Sequence, residues 1–160
     1  VAAKKEAGSS TPHIVFQMLV VKPNEHQIGE VQALAKEIGV DEVKLKTAQV
    51  YDFVEGNELI PTISKYSRYY QDNAGVWHVK NKLRNQCWKL WHACVITWDG
   101  MVVPCCFDKD ATYRLGDLRE KSFSSIWKGT SYRQFRARLL QGRDKIDICT
   151  NCTEGCKVWA

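Results

Sequence analysis

Cys149 and Cys152 are separated by Thr150 and Asn151, and two further cysteines, Cys87 and Cys105, lie far upstream in a chain of 160 residues. Thiolate is a soft, anionic ligand, so four of them brought together suit zinc or an iron-sulfur cluster. The C-x-x-C turn sets two sulfurs on one side of such a centre, and the distant pair can close the remaining corners. Seven cysteines occur in all, at positions 87, 94, 105, 106, 149, 152 and 156. An odd number cannot pair completely as disulfides, which favours a metal site over a disulfide framework. A cytoplasmic protein with reduced thiols is expected.

The elements that must position these cysteines are legible in outline. Cys94 to Trp98 and Met101 to Phe107 are β-rich and flank Asp99-Gly100, a strong hairpin signal. A two-residue turn there would pair Trp98 with Met101 and Cys94 with Cys105. Pro104 has no amide to give a ladder and should face an edge or a ligand. Ser122 to Lys128 and Ser131 to Leu140 read as short helices capped by Ser122 and Ser131 and stopped by Gly129 and Gly142, with Phe123, Ile126, Trp127, Phe135 and Leu139 inward. Arg143 to Ala160 reads as a cysteine-bearing tail. Cys106 should pack as a small hydrophobe on the face opposite Cys105, Cys94 is a packed neighbour or a spare ligand, and Cys156 could exchange with a tail ligand.

The first half has a different logic. Ile14 to Val21 is an apolar run broken only by Gln17 and reads as a buried strand. Apolar residues at 28, 31, 34, 35 and 38 then give an amphipathic helix, with Asn24 and Gln27 as its capping pair and Gly39 as its stop. Val43 and Leu45 alternate with Lys44 and Lys46 in a second strand, completing a parallel strand, helix, strand unit. Two parallel strands cannot cover both of their faces, so the unit reads as the end of something larger. Residues 51 to 75 read as an irregular linker and the first eleven as a flexible tail. The expected domains are therefore 1–75, tail and linker included, and 76–160.

Composition excludes some classes. At 44% hydrophobic residues the chain is globular rather than disordered. No apolar run approaches the roughly eighteen residues of a membrane span, and no secretion signal is visible. The net charge of +5, densest at Arg133, Arg136, Arg138, Arg143 and Lys145, reads as a solvated helix face. Because no nucleic-acid module accompanies it, nucleic acid is not the expected partner. Trp88, Trp91, Trp98 and Trp127 are expected to build the small core around the metal. His92 is expected to be an exposed or packed aromatic.

Cys87, Asp99-Gly100, Pro104-Cys105 with four residues between Gly100 and Cys105, Leu115-Gly116-Asp117-Leu118, Ser125-Ile126-Trp127 and Cys149-x-x-Cys152 occur in an order that resembles the SPASM domain. That is the auxiliary-cluster module at the C-terminus of many radical SAM enzymes. The first half is similar to the last strand, helix, strand portion of the radical SAM partial barrel. The resemblance implies an α+β fold, namely a remnant of a partial (β/α) barrel followed by a small domain with a hairpin, short helices and a four-cysteine site. It implies one auxiliary 4Fe-4S cluster held by Cys87, Cys105, Cys149 and Cys152, serving electron relay or structural support.

The motif C-x-x-x-C-x-x-C, which holds the cluster that cleaves S-adenosylmethionine, is absent from the chain. The chain, opening on Val1, therefore reads as an inactive fragment whose parent supplies the radical SAM core and binds SAM. A peptide or protein substrate and a ferredoxin or flavodoxin donor would follow. Residues at the ends of the parallel strands, Asn24, Thr47 and Gln49, and Gln17 within one of them, are candidates for the SAM or substrate side, with capping and buried hydrogen bonding as the plainer roles. The alternative reading of the same cysteines is a zinc-stapled module with a basic face for nucleic acid or an acidic partner.

Overall fold

A computed structural model describes residues 1–153 of the chain. Cys156 lies outside the described residues. The chain divides into two compact units, one spanning Val1–Lys80 and one beginning at Asn81.

In the first unit, β1 (Val15–Val20) and β2 (Glu42–Thr47) pair in parallel, with Val20 opposite Thr47, and α2 (Ile28–Ile38) connects them. Gly39 ends α2 at φ +80°, a left-handed conformation that glycine adopts without a Cβ clash. The start of the helix differs from expectation. Lys22–Gln27 forms a 3-10 turn, and Asn24 points back to the strand, accepting from Val21 N at 2.9 Å and donating to Leu19 O at 3.0 Å. Its side chain thus closes the strand end instead of capping α2. The strand itself is not buried throughout, since exposed and covered residues alternate along β1 and Gln17 is exposed.

Two further segments of this unit are more ordered than their composition suggests. The expected tail contains a short helix, α1 (Ala2–Glu6), pinned where Lys4 Nζ meets the Asp41 carboxylate at 2.7 Å. The expected linker holds a hairpin, β3 (Tyr69–Gln71) with β4 (Trp77–Val79), over its own cluster of Val50, Ile60 and Tyr69. Asp72 builds the turn by accepting from Ala74 N and Val76 N, both at 2.9 Å. Strands of three residues leave too short an alternation to show a period.

The second unit begins with α3 (Lys89–His92) and a three-stranded antiparallel sheet of β5 (Val95–Ile96), β6 (Met101–Val103) and β7 (Gly116–Asp117). The hairpin is where expected, but its register is one residue off. Val95 faces Val103 and Ile96 faces Val102, so the loop is three residues long, Trp98 to Gly100, with Gly100 at φ +85°. Thr97 holds this loop, its hydroxyl donating to Asp99 at 2.5 Å and its backbone N–H to Met101 O at 2.9 Å. Continued one step, this register sets Cys94 against Pro104 rather than Cys105.

Two helices follow, α4 (Phe123–Trp127) and α5 (Thr130–Gln141). Ser122 caps α4 by accepting from Ser125 N at 3.3 Å. Ser131 does not cap α5, which begins one residue earlier behind Gly129. A short helix, α6 (Asp147–Thr150), carries Cys149.

The core of this unit is aliphatic and aromatic, formed by Leu90, Val102, Leu115, Ile126, Tyr132, Phe135, Leu139 and Ile146, with Cys94 half-buried against it. The tryptophans do not build it. Trp98 is 98% exposed at the hairpin tip and Trp88 is 77% exposed, while only Trp127 packs partly against the core. The shifted register turns Trp98 outward, and Phe123 is likewise exposed. His92 stacks on Trp88 at a centroid separation of 3.5 Å and is exposed, as expected.

Candidate metal centre

Cys87, Cys105, Cys149 and Cys152 all line one cavity in the second unit. Four separate local structures deliver them. Cys87 starts the turn into α3, its carbonyl accepting from Leu90 N at 3.2 Å. Cys105 follows β6 and Pro104. Cys149 sits within α6, and Cys152 returns in a tight turn, its N–H donating to Cys149 O at 3.2 Å. Asn81 fixes the last turn by donating to Cys152 O at 2.8 Å.

The walls are apolar where Leu90, Phe135, Leu139 and Ile148 contribute, and cationic at Lys89 and Arg143. Cys149 and Cys152 are buried, Cys87 and Cys105 half-buried, and all four are free thiols. Among the described residues, no group of three or more His, Cys, Asp or Glu is placed so that it could hold a metal ion as it stands. The four thiols thus share a cavity rather than a completed coordination sphere.

The loop after β6 is built to hold Cys105. The backbone N–H of Asp108 donates to the Cys105 carbonyl at 3.2 Å, and the Phe107 and Asp108 amides favour the charged form of its sulfur. Asp108, buried at 3% exposure, fastens the far side of the loop by accepting from Thr112 N at 2.8 Å and Tyr113 N at 2.9 Å. Cys106 is exposed, so the expectation that it packs as a small hydrophobe is not met. The turn that points Cys105 into the cavity swings its neighbour to solvent.

Burial pushes the Cys105 thiol from its ordinary 9.0 up to about 11, reinforced by Cys152 and Cys106 and opposed by the two amides. Burial pushes Cys149 up to about 12, with Cys152, Cys105 and Cys87 adding to the rise and Arg143 opposing it. Both thiols therefore stay protonated in the metal-free protein near neutral pH. Because their folded values lie above the unfolded one, the stability they contribute is complete below about pH 9 and is lost as the pH rises through 11 to 12. The melting temperature of reduced, metal-free protein is expected to fall between pH 8 and pH 10 more steeply than that of a Cys105→Ser/Cys149→Ser variant. Parallel curves would contradict this.

None of the candidates in the first unit is among the residues that line this cavity. Thr47 is buried, and its hydroxyl accepts from Arg68 Nε at 2.8 Å while its carbonyl accepts from Arg68 Nη2 at 2.7 Å. Gln49 is half-buried just beyond β2, Asn24 closes β1, and Gln17 faces outward beside Lys44. Sequence reasoning missed Arg143, Phe107 and Asp108 at the cysteine cavity. The first is one arginine among several, and the other two act through backbone groups.

The pocket thus brings four soft thiols together with apolar side chains and two cations. Residues 87–153 match the SPASM family, an iron-sulfur cluster-binding domain. The chain is also similar to the tungsten-containing aldehyde ferredoxin oxidoreductase cofactor-modifying protein of Pyrococcus furiosus, with 27% identity over 174 residues, covering 94% of this chain and 48% of that protein. A crystal structure of selenomethionine BtrN in an open conformation aligns with 98% of this chain and 63% of its own, at 18% identity and a TM-score of 0.41. The chain thus spans about half the length of the curated relative it matches. No helix among the described residues is long and apolar enough to cross a membrane.

Proposed function

We propose that Cys87, Cys105, Cys149 and Cys152 hold one auxiliary 4Fe-4S cluster, and that the chain is the C-terminal part of a radical SAM enzyme. The observation that carries this reading is the convergence of these four cysteines, from three distant stretches of sequence, on one cavity within the segment that matches SPASM. The parallel β1–α2–β2 unit is, on this reading, the last portion of the partial barrel, with domains 1–75 and 76–160. The cluster, when bound, would supply one-electron chemistry.

The chain's own residues do the rest. Four thiolates close every iron corner, which leaves none for substrate and favours electron relay or support of the substrate cavity. The Asp108 amide holds the Cys105 carbonyl, and the amides of Phe107 and Asp108 favour the charged form of its sulfur. Leu90, Phe135, Leu139 and Ile148 exclude water from the sulfurs. Gln17, Asn24, Thr47 and Gln49 would belong to the SAM or substrate side, and a missing core of the same polypeptide would supply the SAM-cleaving cluster.

The parent then modifies a peptide or protein side chain, drawing electrons from a ferredoxin or flavodoxin. The name of the Pyrococcus furiosus relative supports a second reading, in which the substrate is a cofactor. Anaerobic reconstitution of the chain with iron and sulfide is expected to yield a brown protein with about four irons and four sulfides and broad visible absorption. A colourless product with no bound sulfide would refute the cluster.

A further inference from the structure

Arg143 occupies the cavity wall for a reason that holding four sulfurs does not itself supply. It is buried at 3% exposure and lines the same space as the four cysteines. Its Nη1 donates to Gln86 O at 3.0 Å, and its backbone N–H donates to Asn85 Oδ1 at 2.9 Å. Gln86 immediately precedes Cys87, while Arg143 opens the 3-10 turn Arg143–Lys145 that leads into α6 and Cys149. One side chain thus ties together two ligand-bearing segments 57 residues apart. Its planar fork can hold a carbonyl with one edge and still present charge elsewhere.

Four thiolates around a doubly positive iron-sulfur core leave two negative charges, and one-electron reduction makes three. A fixed cation in the wall therefore stabilises the reduced form more than the oxidised form. Lys89 also lines the cavity but is only half-buried, where water and salt screen it.

We infer that Arg143 is the internal counter-charge of the cluster and raises its reduction potential. The inference rests on the four-cysteine reading above. Reduction here is the entry of one electron from a chemical titrant such as dithionite, with no bond made or broken.

The test is an anaerobic potentiometric titration of the reconstituted chain, followed by electron paramagnetic resonance, with iron and sulfide content measured on each sample. Arg143→Gln, which keeps a hydrogen-bonding side chain without the charge, is expected to load the cluster and shift the midpoint to a more negative value. Arg143→Lys is expected to restore most of the wild-type midpoint, and Lys89→Gln to move it less than Arg143→Gln does. A loaded Arg143→Gln variant with the wild-type midpoint overturns the inference. If Arg143→Gln does not load, Arg143→Lys decides the matter: a midpoint at or near wild type supports the counter-charge, and a fall beyond that of Lys89→Gln overturns it. A wild-type chain that takes up no cluster defeats the four-cysteine reading and this inference together, whereas a loaded chain with an unmoved midpoint defeats this inference alone.

Discussion

Cys149→Ser is expected to abolish cluster uptake, with bound iron after anaerobic reconstitution falling at least about tenfold below wild type, since even second-shell changes cost 10 to 100-fold in metal affinity. Cys149 is buried at 7% exposure and lines the same cavity as Cys87, Cys105 and Cys152. A serine hydroxyl is harder than thiolate and does not ionise in a site that already suppresses the thiolate. The same loss is expected for serine at Cys87, Cys105 and Cys152. Cys94→Ser and Cys106→Ser should load normally, because neither lines the cavity. Retained uptake in Cys149→Ser, or loss in Cys106→Ser, would remove the proposed ligand set.

Gly116→Ala should destabilise the second unit by roughly 1 to 3 kcal/mol, the usual cost of overpacking. Gly116 sits in β7 opposite Val102, and a Cβ placed there would lie 2.6 to 2.8 Å from three side-chain atoms of Ile126. Ile126 is 3% exposed within the core and has no free direction in which to withdraw. For a domain of this size each kcal/mol lowers the melting temperature by about 4 to 8 °C. Ile126→Ala removes all three clashing atoms at its own cost of about 2 to 5 kcal/mol. In the double variant, unfolding by denaturant should therefore show markedly less loss than the sum of the two single changes. Strict additivity would show that Gly116 is needed for some reason other than the room it leaves for Ile126.

Much of the frame that holds the cysteines was legible from residue order, for identifiable reasons. The β1–α2–β2 unit declares itself through two clean periods and a glycine stop, both local signals. The hairpin declares its position through Asp99-Gly100 but not its register, because Thr97 recruits Asp99 and lengthens the loop to three residues. That one-residue slip separates Cys94 from Cys105 and turns Trp98 to solvent. The β3–β4 hairpin and α1 were not legible, since one relies on three-residue strands and the other on an ion pair between Lys4 and Asp41.

At the candidate site, cysteine spacing named the residues that line the cavity, because ligand chemistry constrains residue type. The surroundings were hidden for the opposite reason. An arginine in the wall and two backbone amides beside a cysteine are ordinary in sequence and acquire meaning only through tertiary placement.

The outward turn of Cys106 has a practical consequence. It is the exposed thiol among the six described, one position from a sulfur in the cavity wall, while Cys149 and Cys152 are shielded. A bulky maleimide should therefore modify Cys106 first and spare the shielded pair. A spin label or fluorophore attached there would report on cavity filling from outside, without occupying any proposed coordination position.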